Sequence, residues 1–99
     1  DACFDAFLPV YNDIINPICS CHVFGMPAGL SMSDVNKAYN NLVGVPSSEM
    51  PNQLRVEKGN SANSYLWFKV STDAMPLGGP PLTPMQKDLI QGWIDGCEP

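Results

Sequence analysis

The stretch Cys19-Ser20-Cys21-His22 decides how the rest of the chain is interpreted. It places two thiols next to an imidazole, and His22 is the single histidine of the sequence. Cysteine thiols can form thioether bonds to a porphyrin, and a histidine directly after the second cysteine then lies beneath the iron. The pattern therefore predicts covalent attachment of a c-type haem with His22 as an iron ligand.

The spacing of the two cysteines is shorter than in the usual attachment motif, which has two residues between them, because Ser20 stands there alone. Side chains two positions apart on an ideal helix point about 200° apart, so both thiols can reach the porphyrin only from a distorted backbone. Three arrangements remain open. Both Cys19 and Cys21 hold the haem through a non-helical turn, or Cys21 alone is attached, or the site has lost haem.

A methionine is expected to supply the sixth ligand of the iron, and five methionines compete for that role. Met75 begins the stiff loop Met75-Pro76-Leu77-Gly78-Gly79-Pro80-Pro81, far enough along the chain to reach the opposite face of a haem. Met26 and Met32 follow the histidine too closely to cross to that face. Met85 falls on the face of a predicted helix and is expected in the core. Met75 is therefore the predicted ligand.

Length and charge predict one domain over residues 1–99 and exclude some classes of partner. Hydrophobic residues make up 44% of the chain and charged residues 15%, which is a globular balance. The net charge of −5 argues against nucleic acid and against an anionic membrane surface. No apolar run approaches the roughly 18 residues of a membrane span. An acidic surface would suit a basic redox partner, although it also serves solubility.

The cysteine content indicates an oxidising compartment or a cofactor site, with four cysteines in 99 residues. The chain begins at Asp1 without a methionine, so we expect either a mature chain whose signal peptide has been removed or an excised domain. Bacteria attach haem to cysteine outside the cytoplasm. A periplasmic or otherwise exported protein is the consistent expectation.

Apolar periodicity predicts an all-α protein with long loops. The first segment has a helical stripe of apolar residues, in which Pro9 either kinks the helix or marks its beginning with Asp5 as the cap, while Pro17 ends it. A second helix is predicted from Ser33, as its cap, to Val43. A third is predicted at about residues 61–70. The apolar positions of the first two helices are Phe4, Phe7, Leu8, Tyr11, Ile14 and Ile15, then Val35, Ala38, Tyr39 and Leu42.

The last helix has the clearest sequence signals. Thr83 is a favourable N-cap, Pro84 suits the first helical position and Gln86 completes a capping box, while Gly96 ends the helix. Its predicted apolar face consists of Met85, Leu89, Ile90, Trp93 and Ile94.

The terminal cysteines, Cys3 and Cys97, flank the first and last helices. If both motif cysteines hold haem, these two form the one remaining disulfide. If Cys19 is free of haem, it could pair with either terminal cysteine, and without haem the four cysteines allow three pairings.

Over nearly its full length the chain resembles a class I cytochrome c domain of the small bacterial monohaem kind. Residues 55–60, followed by Ser64-Tyr65-Leu66, resemble the family's Val-x-Pro-Gly-Asp…Ser-x-Leu stretch, with Lys58 in place of the proline. The other matching pieces are Ala28-Gly29-Leu30, residues 38–43, Met75-Pro76, Pro81-Leu82-Thr83 and Trp93-Ile94.

The resemblance implies a cytochrome c-like fold around one covalently attached haem, with His22 as proximal and Met75 as distal ligand. It also implies that the first and last helices cross, with Trp93 packed near Phe7 or Tyr11. Three more residues could border the haem, with a side chain donating to a propionate or serving as ordinary packing. These are Arg55, Tyr65 and Trp67.

The function expected from these features is electron transfer rather than enzymatic catalysis, by a soluble carrier or by a subunit of a larger redox complex. One alternative is a five-coordinate haem sensor or weak peroxidase. Another is a haem-free, disulfide-stapled binding module. Zinc is disfavoured because Cys19, Cys21 and His22 have no second ligand cluster at finger-like spacing.

Overall fold

A computed structural model of the chain describes residues 2–18, 34–48, 50–75 and 80–98, with Ile18 described by its backbone alone. The fold is compact and all-α, as predicted. Among the described residues there is no β-strand, and extended pairing is limited to two isolated bridges. The helices are α1 (Ala2–Val10), a π-helical segment (Tyr11–Ile15), α2 (Asn16–Ile18), α3 (Val35–Leu42), a 3-10 turn (Ser61–Asn63), α4 (Tyr65–Ser71) and α5 (Pro84–Gly96).

The first helical stretch accommodates Pro9 in its interior. The helix begins at Ala2, so the expectation that it begins near Pro9 with Asp5 as its cap is wrong. Proline lacks an N–H donor and its ring crowds the carbonyl four residues earlier. The π-helical segment follows directly after Val10, and such wider turns occur where the regular ladder is disturbed. Pro17 does not end the helix either, because α2 continues to Ile18.

Helix α3 is capped one residue later than the sequence suggested. The side chain of Asp34, rather than Ser33, accepts a hydrogen bond of 2.8 Å from the backbone N–H of Lys37. Ser33 itself lies outside the described residues. Aspartate and serine are comparable N-caps, so two neighbouring candidates could not be separated by propensity. The predicted apolar face is confirmed, with Ala38 and Leu42 buried and Val35 and Tyr39 packed beside them.

The segment predicted as one helix over residues 61–70 is divided into the 3-10 turn and α4. Ser64, which separates them, has extended backbone angles and is fully buried. Its hydroxyl accepts from the N–H of Glu57 at 2.8 Å and donates to the carbonyl of Asn60 at 2.9 Å. These bonds fix Ser64 to the preceding loop, so the helix restarts at Tyr65.

Helix α5 confirms the predicted capping box. The Thr83 hydroxyl accepts from the N–H of Gln86, and the Gln86 side chain accepts from the N–H of Thr83. The inner part of its predicted apolar face, Ile90, Trp93 and Ile94, is buried.

The outer part of that face is exposed, which corrects the expectation of a core position for Met85. The side chain of Met85 is 82% exposed and that of Leu89 is 38% exposed. Both lie along a groove of about 440 Å³ between α5 and the π-helical segment, where Asp13 and Asp88 also lie. The buried face of α5 is therefore narrower than the sequence pattern predicted.

The core joins the two ends of the chain. Cys3 and Cys97 form a disulfide with a Cα–Cα distance of 4.8 Å. Next to it, the rings of Trp93 and Phe7 lie 4.6 Å apart, and the indole N–H of Trp93 donates to the carbonyl of Cys3 at 3.0 Å. The predicted packing of Trp93 near Phe7 is thus confirmed.

A second polar link ties α5 to the middle of the chain. The carboxylate of Asp95 accepts from both the N–H and the hydroxyl of Ser61, at 2.8 and 3.0 Å. The N–H of Gly59 also donates to the carbonyl of Ile94 at 2.8 Å. In the part of the chain that is described, no helix is long and apolar enough to cross a membrane.

Candidate functional site

The predicted attachment residues, Cys19, Cys21 and His22, lie outside the described residues. The structure describes the chain up to Ile18. The helical stretch leading there is held by Ile14 and Ile15, whose side chains are 1% and 2% exposed. The start of the Cys/His motif is therefore connected to a helix that is fixed in the core.

Met75 lies just beyond α4, with its side chain partly buried against the hydrophobic core. Its backbone N–H donates to the carbonyl of Lys69 at 3.1 Å, so the chain turns back toward the helix that precedes it. The backbone N–H of Met75 is thereby placed by a hydrogen bond, and its side chain is placed by packing.

The other described methionines differ from Met75 in their surroundings. Met50 is 50% exposed and Met85 is 82% exposed. Among the three methionines that the structure describes, only Met75 packs against the core. Met26 and Met32 lie outside the described residues. The apolar environment of the Met75 thioether agrees with the choice of Met75, from the sequence, as the candidate ligand.

The turn before Met75 is anchored at several points. The hydroxyl of Thr72 donates to the carbonyl of Phe68 at 2.6 Å, and the N–H of Asp73 donates to the carbonyl of Val70 at 3.3 Å. Asp73 has a left-handed φ of 62°, and its carboxylate pairs with the ammonium of Lys87 on α5 at 2.7 Å. Asp73 and Lys87 are 14 positions apart, and no sequence signal links them.

The aromatic residues of α4 have two different environments. Trp67 is partly buried and packs against the core. Tyr65 stacks on Phe68, with ring centroids 5.8 Å apart, and the ammonium of Lys69 lies 5.3 Å from the Tyr65 ring. Both residues remain candidates for bordering a prosthetic group, and each also has a packing role.

Arg55 is largely buried, with 9% of its surface exposed. Its guanidinium donates to the carbonyl of Asn41 at 2.9 Å and to the hydroxyl of Ser48 at 3.3 Å. Burial lowers the pKa of Arg55, although a guanidinium stays charged at neutral pH. Arg55 thus connects the end of α3 to the following loop, and a propionate contact remains a prediction.

Tyr39 is an aromatic residue packed against the core, and its hydroxyl has no hydrogen-bond partner among the described residues. Its ring contacts those of Phe4 and Phe7 at centroid distances of 5.1 and 5.7 Å. The phenolic oxygen is buried and has no hydrogen-bond partner among the described residues. Burial raises the pKa of Tyr39 above its ordinary value.

We expect Tyr39→Phe to keep or raise the free energy of unfolding at neutral pH, by up to about 1 kcal/mol, because it removes a buried hydroxyl that has no partner among the described residues. The raised pKa means that the folded state keeps the phenolic proton above the pH at which the unfolded chain loses it. Wild-type stability should therefore fall above pH 10, and the variant should fall less. Urea unfolding at pH 7 and pH 10.5 measures both effects. A loss of 1 kcal/mol or more at pH 7 would reveal a bonded hydroxyl.

The described residues bring together Met75, Trp67 and Leu66 beside one core, while Arg55 and Tyr65 serve contacts of their own. Within the described ranges no group of three or more His, Cys, Asp or Glu residues could hold a metal ion. Comparison with protein-family models, with curated proteins and with solved structures gives no match.

Proposed function

We propose that the chain is a monohaem c-type cytochrome that carries single electrons, with His22 and Met75 as the iron ligands. The observation that carries this proposal is the placement of Met75. It packs against the core in a loop anchored to α4, whereas Met50 and Met85 are exposed. The sequence offers one histidine, directly after two cysteines, as its counterpart.

The residues that pack around the core are apolar, which is the type of side chain that suits contact with a porphyrin. Among the described residues, six side chains pack against the core yet remain partly exposed, so they offer apolar surface to a further group. A flat aromatic macrocycle is suited to such surface, because burying it removes apolar area from water. The six are Val35, Tyr39, Val43, Leu66, Trp67 and Met75.

When bound, haem would supply one-electron chemistry between ferric and ferrous iron. His22 and Met75 would hold the iron, and because the protein would then supply both of these ligands, electron exchange would be the function that remains. The thioether of Met75 is a weaker donor than an imidazole and raises the reduction potential. An apolar surrounding adds to this effect by disfavouring the extra charge of the ferric state.

The fold and its covalent closure support the same proposal. Helices α1 and α5 pack against each other, with Trp93 against Phe7, as a cytochrome c-like fold requires. The Cys3–Cys97 disulfide suits an exported, periplasmic protein. It also leaves Cys19 and Cys21 available for thioether bonds.

A basic redox protein is the partner that the surface charge favours. The chain carries a net charge of −5. The groove beside α5 combines the apolar side chains of Met85 and Leu89 with the carboxylates of Asp13 and Asp88. Redox proteins form small, transient contacts, whether the cytochrome is a soluble carrier or a subunit of a complex.

An alkaline pyridine haemochrome spectrum of the purified chain tests the proposal. We expect an α-band of c type, at the usual position for two thioether bonds or shifted to the red for one bond through Cys21. His22→Ala should abolish stable haem ligation. A normal haem spectrum from that variant would show that His22 is not the ligand.

A haem-free binding module is the second candidate, and the Cys3–Cys97 disulfide is compatible with it. This bond and the core it encloses stabilise the fold with or without a prosthetic group. A colourless protein purified from a host that attaches haem would select this function. A coloured protein without Met75 ligation would instead indicate the five-coordinate sensor or peroxidase.

A further inference from the structure

We propose that the Asp73–Lys87 ion pair is a positioning device for Met75, because it holds the turn at residues 71–75 against α5. The inference rests on the proposed function for its consequence at the iron. The positioning of Met75 by the ion pair concerns the chain alone and can be tested without haem.

The backbone of Asp73 provides the first argument. Its φ of 62° lies in the left-handed region, and the residue stands just after the end of α4. Glycine is the usual residue at this position of a helix end, and aspartate is one of the few other residues that tolerate it. Unlike glycine, Asp73 carries a side chain that can make a contact from this position. The contact is the ion pair of 2.7 Å with Lys87.

The second argument concerns the helix to which the ion pair connects Asp73. Lys87 lies in the first half of α5, whose start is fixed by the Thr83–Gln86 capping box. Its ammonium is bonded to the turn two residues before Met75. The Lys87 side chain is 23% exposed and that of Asp73 is 50% exposed, so the pair is partly shielded on the lysine side. The ion pair thus joins the turn at residues 71–75 to α5, a helix that follows it in the chain.

The third argument is that the other hydrogen bonds of this turn do not link it to α5. The bonds from Thr72, Asp73 and Met75 all end on carbonyls of α4. They shape the turn, but they connect it only to the helix from which it emerges. Of the side-chain bonds that the structure shows for residues 71–75, the one to Lys87 is the link to another helix.

Amide hydrogen exchange at Met75 in the haem-free chain tests the positioning directly, because that N–H bonds to the carbonyl of Lys69. We expect exchange about two- to five-fold faster in Asp73→Asn and in Lys87→Met, as for the loss of an exposed ion pair. The double variant should be no faster than either single one. Asparagine tolerates the left-handed backbone, so Asp73→Asn removes the charge without adding strain.

Asp95→Asn is the matched control. It removes one negative charge and the bond that the Ser61 hydroxyl donates, while the amide oxygen can still accept from the Ser61 N–H, and it leaves residues 71–75 unaltered. We expect wild-type exchange at Met75 in this variant. Unchanged exchange in Asp73→Asn would overturn the proposal, as would equal acceleration in Asp95→Asn.

The haem-loaded protein provides a second readout. Exogenous imidazole can bind ferric iron only when Met75 leaves it, so we expect its affinity to rise about two- to five-fold in Asp73→Asn and Lys87→Met. Asp95→Asn should bind as the wild type does. If Met75→Ala and the wild type bind imidazole equally, Met75 ligation fails. The exchange experiment then still decides whether the ion pair positions the loop.

Discussion

Met75→Ala is expected to lower the reduction potential by on the order of 100 mV, within a range of about 0.8 V over which axial ligands tune haem proteins. Loss of the thioether removes the ligand that favours ferrous iron and opens the sixth position to small ligands. Potentiometric titration measures the potential. The weak long-wavelength absorbance band typical of Met–Fe(III) bonding should disappear in the ferric variant.

Two further variants separate ligation from packing. Met75→Leu keeps a side chain of similar volume and loses the sulfur, so it should lower the potential as Met75→Ala does. Met85→Ala removes a methionine that is 82% exposed, and it should leave both the potential and the spectrum unchanged. An unchanged potential in Met75→Leu would mean that another residue is the sixth ligand.

Removal of the disulfide, by Cys3→Ala with Cys97→Ala, is expected to lower the free energy of unfolding by about 3–5 kcal/mol. The bond joins residues 94 positions apart, so it restricts the unfolded chain over almost its whole length. The 3.0 Å hydrogen bond from Trp93 to the carbonyl of Cys3 uses the backbone and can persist in the variant. Guanidinium unfolding without reductant measures the loss.

The wild type treated with reductant is the control, because it removes the same bond without changing a residue. It should unfold at nearly the same denaturant concentration as the double variant. An unchanged midpoint in the double variant would mean that Cys3 and Cys97 are not paired in solution. Peptide mapping would then identify a pairing with Cys19, which the sequence had left open.

Features that depend on neighbouring residues were predictable from the sequence. The capping box of α5 involves only Thr83 and Gln86, which are three positions apart, and the structure confirms it. The Trp93–Phe7 contact came from the family resemblance, which carries long-range information that local patterns lack. The disulfide could not be derived from spacing, because several pairings were compatible with four cysteines.

The wrong predictions have definite physical causes. Periodicity placed Met85 on the buried face, but it does not give the width of that face, and no described helix covers the start of α5 there. Pro17 was expected to end the first helix, and one of the two alternatives for Pro9 was a helix start. The chain instead passes through both positions in helical form. The Asp73–Lys87 pair depends on how α4 and α5 approach each other, which only the fold specifies.

The closure of the chain by Cys3 and Cys97 also determines how the molecule bears force. Their Cα atoms lie 4.8 Å apart, so a pull applied at residues 2 and 98 passes almost directly through the covalent bond. The helices between them carry none of the load. A chain without this bond would lengthen by about 3.4 Å for each residue drawn out. Under tension the oxidised protein therefore behaves as a short inextensible link, and it keeps its interior folded.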